Sequence, residues 1–209
     1  MKLVANIDEA CSLARVDVRY AEPIEDLLKT VIREGIDGIA VGDARAIRHK
    51  SELGKCLVCV ESSQSSRAIA GEKWADAVDD ASPGGRKRRV DILAFVKDGG
   101  EEKILLAEGK LGCSVNEAGR SLHPRHAELK EKYEETRGRL SAAGNSLPVV
   151  DELYLLVSGL YKAQIKRRMF MWRRQGLIPM VKCLCCHEFL EELGVPDSSG
   201  KIDSCETTD

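Results

Sequence analysis

Two apolar runs, residues 90–96 and 104–107, bracket the tetrapeptide Asp98-Gly99-Gly100-Glu101. Glycine accepts the positive φ that a two-residue primed turn demands, so the segment is expected to fold as a β-hairpin. Such a turn also dictates register. Counting outward from Gly99-Gly100, Asp98 faces Glu101 and Asp91 faces Glu108. A side-chain period of two then puts Lys110 on the same face as Glu108. The hairpin is thus expected to gather two carboxylates and one ammonium at the end remote from its turn.

Charged groups interrupting apolar strands need a physical reason. Two adjacent carboxylates repel each other, yet they suit a hard divalent cation such as Mg²⁺, which takes oxygen ligands. A lysine beside that cation can position or help deprotonate a water while the cation stabilises charge on a phosphoryl group. The acid-x-Lys triplet alone is not specific, because three occur in the chain. Glu101-Glu102-Lys103 falls at the turn and Glu128-Leu129-Lys130 on a polar helix, where solvated charge is sufficient explanation. Only Glu108-Gly109-Lys110 closes an apolar strand.

Elsewhere the pattern alternates between helix and strand. Ile24, Leu27, Leu28, Val31 and Ile32 recur at helical spacing after Glu22-Pro23, and Gly35 is expected to end that helix. Residues 55–60, partly β-branched, read as a strand, and the polar stretch from 61 to 89 as connections around a short piece near Trp74. A charged, largely exposed helix is expected over 126–140, strands over 149–157 and 180–186, a basic helix over 164–175, and a short helical piece ending near Gly194. The chain has 209 residues, 43% hydrophobic and 32% charged, enough for one core of ordinary size. The expected class is α/β, a mixed central sheet flanked by helices, in one domain over 1–195 with a flexible tail over 196–209.

These residues resemble the PD-(D/E)xK nuclease superfamily, whose restriction-endonuclease-like core runs helix, three strands, helix, strand. The resemblance spans about 22–160: a helix from Ile24, a strand near Cys56, Asp91, Glu108-Gly109-Lys110, a helix near Glu128 and a strand near Tyr154. Residues 161–195 would be a C-terminal extension. Val90 stands where the family's name has proline. The resemblance implies a Mg²⁺-dependent nuclease, with Mn²⁺ as an alternative ion. Asp91 and Glu108 would hold the metal with the Gly109 carbonyl, and Lys110 would serve the attacking water. Many members add an acid from the first helix, for which Glu25 is the similar position and Asp26 its near rival. The competing reading is a non-catalytic nucleic-acid- or protein-binding module on the same fold.

The formal charge is only -2, which excludes a polybasic binder but not a local basic face. Between Leu153 and His187 there is no acid, and seven cations cluster there. Lys166, Arg173 and Arg174 could meet phosphates while Ile165, Met169 and Trp172 form a buried stripe. The expected partner is therefore nucleic acid, DNA in the first place; a homodimer would suit cutting of both strands. Arg86-Lys87-Arg88-Arg89, just before Asp91, could add to the basic face. The chain shows neither an export signal nor an eighteen-residue apolar run, so a soluble, cytoplasmic protein is expected, with no membrane partner. Its eight cysteines are expected as thiols. Cys56 and Cys59, if extended, would point to opposite faces, so zinc and an iron–sulfur cluster are not expected, either there or at Cys183, Cys185, Cys186 and His187. His123 and His126 read as loop residues.

Overall fold

Gly99 and Gly100 adopt φ of 61° and 91°, the left-handed values of the primed turn, and join β4 (Ile92–Asp98) to β5 (Glu101–Gly109). The register is the expected one, with Asp98 opposite Glu101 and Ile92 opposite Ala107. The protein is represented by a computed structural model, which describes residues 1–39, 44–60, 66–80, 88–112, 126–178 and 180–195. The tail at 196–209, His123, and Arg86-Lys87 lie outside the described residues.

The hairpin is the centre of a seven-stranded mixed sheet. In chain order the remaining strands are β1 (Lys2–Leu3), β2 (Ala21–Pro23), β3 (Arg67–Ala70), β6 (Val149–Leu156) and β7 (Met180–Leu184). The sheet runs β2-β3-β4-β5-β6-β7, with β1 beside β4 as well. Strands β2 to β5 are antiparallel neighbours, whereas β5, β6 and β7 run parallel. Parallel neighbours require crossovers, and helices supply them. The connection from β5 to β6 contains α5 (His126–Ala142), and that from β6 to β7 contains α6 (Lys162–Arg174).

Alternation along the strands divides the core into two layers. Leu93, Phe95, Ile104, Leu106, Leu153 and Leu155 face α1 (Ile7–Ala14), α4 (Gly71–Asp80), α5 and α6. Ile92, Ala94, Leu105, Ala107, Tyr154 and Leu156 face α2 (Ile24–Gly38), α3 (Ala44–Cys59) and α7 (Cys186–Glu192). Both faces of the central strands are covered, which is why they read as nearly continuous apolar runs. The class is α/β, a mixed sheet flanked by helices.

Two local expectations are corrected. Residues 55–60 are not a strand: α3 runs through Cys59. His49 and Leu53 are buried and Cys56 and Leu57 half-buried, a spacing of three to four that belongs to a helix. The strand preceding the hairpin is instead β3, four residues long, paired to β4 through Ile69 and Leu93. Gly35 does not end α2, which continues to Gly38. Gly35 lies within the helix because the chain after β5 comes very close. A Cβ there would stand 2.8 Å from that of Leu111, and one on Gly112 would lie 2.6 Å from the Gly35 carbonyl oxygen.

Candidate functional site

Asp91 and Glu108 meet where β4 begins and β5 ends. The Asp91 amide donates to the Ala107 carbonyl at 3.1 Å, and its own carbonyl accepts from Gly71 at 2.8 Å, so its backbone is fixed on both sides. Its carboxylate turns toward β5, where Oδ2 accepts the Gly109 amide proton at 2.7 Å. Glu108 is 1% exposed, and its Oε2 is buried with no hydrogen-bond partner among the described residues. Its Oε1 takes two ammonium groups, Lys110 at 2.8 Å and Lys132 at 2.6 Å. Lys132 also approaches Asp91 Oδ1 at 3.8 Å.

Asp91, Glu108 and Lys110 thus converge in one corner, and α5 completes it. Glu128 and Lys132 are four residues apart on that helix, a spacing that stacks them on one face. Glu128 holds Lys110 at 2.7 Å while Lys132 covers Glu108. Neither α5 residue belongs to the sequence-derived set. Glu128 reads as solvated charge from its polar surroundings, and Lys132 has no apolar strand to draw attention to it. The available signal was the spacing itself, beside the buried stripe of Leu129, Tyr133, Thr136 and Leu140.

Glu25 lies buried in the first turn of α2, and further along the same helix Glu34 senses the charge of Asp91. Nine residues make two and a half helical turns, so the two glutamates leave α2 on opposite faces, about 13 Å apart along its axis. Glu34, Val31, Gly35 and Gly38 form one wall of a cleft of about 270 Å³, and Gly109, Lys110, Leu111 and Gly112 the other. The helix approaches β5 closely at this point. A Cβ on Gly109 would stand 2.1 Å from Val31 Cγ1 and 3.1 Å from Asp91 Oδ2, so only glycine fits between them.

The electrostatics follow from burial and crowding. Asp91 has its carboxyl pKa raised to about 7, first by desolvation and then by the Glu108 charge, against the pull of Lys132, the Gly109 amide and Lys110. Burial lowers the affinity of Lys110 for its proton, but Glu108 and Glu128 outweigh it and hold the ammonium pKa above the usual lysine value. Glu34 is raised by burial and then by Asp91 and Glu72. With every group ionised, Asp91, Glu108, Glu34 and Glu128 against Lys110 and Lys132 leave two formal negative charges. The donor set is all oxygen, one carboxylate oxygen is orphaned in the interior, and the excess charge matches one divalent ion. Oxygen donors with such a charge balance are of the kind a hard divalent cation takes.

Lys166, Arg173 and Arg174 are exposed on α6, while Ile165 and Met169 are buried beneath them. None of the three cations forms an ion pair among the described residues, and Arg174 lies over the Phe170 ring at 5.9 Å. Trp172 packs edge-on against His126 at 5.5 Å, so the last turn of α6 stands beside the first turn of α5, which carries Glu128. Arg88 and Arg89, by contrast, are tied down, Arg88 to Glu131 at 2.9 Å and Arg89 to Asp76 at 3.0 Å. No helix among the described residues is long and apolar enough to cross a membrane. Comparison with protein-family models, with curated proteins and with solved structures finds no match for this chain.

Proposed function

We propose that this protein is a Mg²⁺-dependent nuclease, hydrolysing phosphodiester bonds of nucleic acid and of DNA in the first place. The observation that carries the reading is Glu108: a carboxylate sealed in the interior, with one oxygen unpartnered among the described residues, beside a second carboxylate and two ammonium groups. A structural ion pair does not need an orphaned oxygen or a second acid held against it. Asp91, Glu108 and the Gly109 carbonyl would hold the cation, which would supply Lewis-acid stabilisation to a phosphoryl group, with Mn²⁺ an alternative. Lys110, which lines the cleft, would orient the attacking water, and Glu128 fixes its ammonium. Glu34, which lines the cleft, would be a helix-borne carboxylate of the site. The order α2, β3, β4, β5, α5, β6, with β6 parallel to β5, supports a restriction-endonuclease-like core, into which α3 and α4 are inserted. Lys166, Arg173 and Arg174, exposed on α6 without an ion pair among the described residues, support nucleic acid as the partner.

One observation favours a second reading. Lys132 spans both carboxylates and Lys110 is held by Glu108 and Glu128, so the cluster is partly neutralised from within. A non-catalytic nucleic-acid-binding module on the same fold would look like this. Single- and double-stranded DNA and RNA, incubated with Mg²⁺ or Mn²⁺ against chelator, separate the two. The nuclease reading expects metal-dependent cleavage that is lost in Asp91→Ala and Lys110→Ala. Binding without cleavage, or cleavage indifferent to both substitutions, refutes it.

A further inference from the structure

The carboxyl ends of β5, β6 and β7 lie side by side, Gly109 paired with Leu156 and Leu156 with Leu184. Open α/β sheets bind ligands along such an edge. One residue beyond Leu184, Cys185 precedes α7 and turns its thiol toward His187 and Glu188. Cys183 and Cys186 are packed into the two apolar layers, whereas Cys185, also buried, belongs to neither. Its Sγ lies 3.0 Å from Glu188 Oε2 and 3.8 Å from His187 Nε2, and the three donor atoms all fall within 4.8 Å of one another. Zinc–sulfur bonds of about 2.3 Å and zinc–nitrogen or zinc–oxygen bonds of about 2.0 to 2.2 Å put tetrahedral ligands roughly 3.3 to 3.6 Å apart. The sulfur's two separations lie on either side of that range.

We propose that Cys185, His187 and Glu188 bind a zinc-class transition-metal ion, with its fourth position open to water. A mixed sulfur, nitrogen and oxygen set selects Zn²⁺ or Co²⁺ over Mg²⁺. Lys162 at the start of α6 grips Glu188 Oε1, which leaves Oε2 turned toward the thiol and fixes the carboxylate's orientation from outside the ligand set. Metal binding breaks the S–H bond, forms the S–metal bond and releases the thiol proton to solvent, so the affinity falls as pH falls. Two interstrand spacings separate this set from Gly109, roughly 10 Å along the sheet edge, so it is distinct from the oxygen cluster at Asp91 and Glu108. The set draws its sulfur from just beyond a strand end and its other donors from the first turn of the following helix.

Titration of the chelator-treated 209-residue chain with Co²⁺ tests the proposal. A thiolate-to-cobalt charge-transfer band in the near ultraviolet is expected, saturating at one equivalent and displaced by Zn²⁺. Cys185→Ser abolishes the band, and His187→Ala or Glu188→Gln weakens Co²⁺ binding at least about tenfold. Glu188→Gln can still accept the Cys185 amide proton, so it keeps the test open if the cysteine variant does not fold. Asp91→Asn leaves the band intact, which separates this site from the nuclease reading. No band in the wild type, a band surviving Cys185→Ser, or unchanged affinity in Glu188→Gln overturns the proposal.

Discussion

Asp91→Asn is expected to make the metal-free protein more stable while removing the proposed cleavage. The Asp91 carboxyl is shifted from 3.8 to about 7 by burial and by Glu108. At about 1.4 kcal/mol per unit, holding it ionised in the folded chain costs roughly 4 kcal/mol. Asparagine has nearly the same shape, can accept the Gly109 amide proton now held at 2.7 Å, and carries no charge against Glu108. An acid whose folded-state pKa is raised binds its proton more tightly when folded, so wild-type stability falls as pH climbs from about 4 to about 7 and levels off beyond. The variant's advantage follows the same curve in mirror image: absent near pH 4, then growing to about 2 to 4 kcal/mol at pH 8. Urea denaturation in chelator at several pH values measures it. Added Mg²⁺ should stabilise the wild type and leave Asp91→Asn unmoved. Equal stabilities at pH 8, or an advantage that does not vary with pH, would refute the argument that Asp91 is a crowded, desolvated acid kept for a cation.

Other consequences can be measured directly. Lys110→Ala should lower metal-dependent cleavage by about 100-fold or more with little change in substrate affinity, whereas Lys132→Met, which removes the ammonium spanning both carboxylates, should tighten Mg²⁺ binding in a calorimetric titration. Gly109→Ala drives a methyl into Val31 and should destabilise the fold by about 1 to 3 kcal/mol, with much of the loss recovered in the Gly109→Ala, Val31→Ala double variant. Replacing Lys166, Arg173 and Arg174 together by glutamine should weaken DNA binding and make log K less steep in log salt by about three. An unchanged slope would take α6 out of the interface.

Legibility followed locality. The hairpin could be read residue by residue because two glycines fix its turn, and the turn fixes every pair up to Ile92 and Ala107. Asp91, Glu108 and Lys110 were reachable by counting along that ribbon. Lys132 and Glu34 were not, because they arrive from α5 and α2 through tertiary packing that no local period encodes. The misread strand at residues 55–60 shows the same limit from the other side. Its β-branched and sulfur-containing residues suit a short strand, while the helix they join is visible only when His49 and Leu53 are counted with them. The four-residue strand that does precede the hairpin, Arg67–Ala70, is too short and too alanine-rich to announce itself.

The near-touching main chains at Gly35 and Gly112 have a bearing on selectivity. Helix α2 and the chain after β5 stand there at backbone distance, with a glycine on each of the two cleft walls, so no rotamer change at either position can alter the spacing. Discrimination between those walls would be by calliper, admitting or refusing a group by its thickness. Any adaptive fit must come from the rim, where Glu34 is exposed.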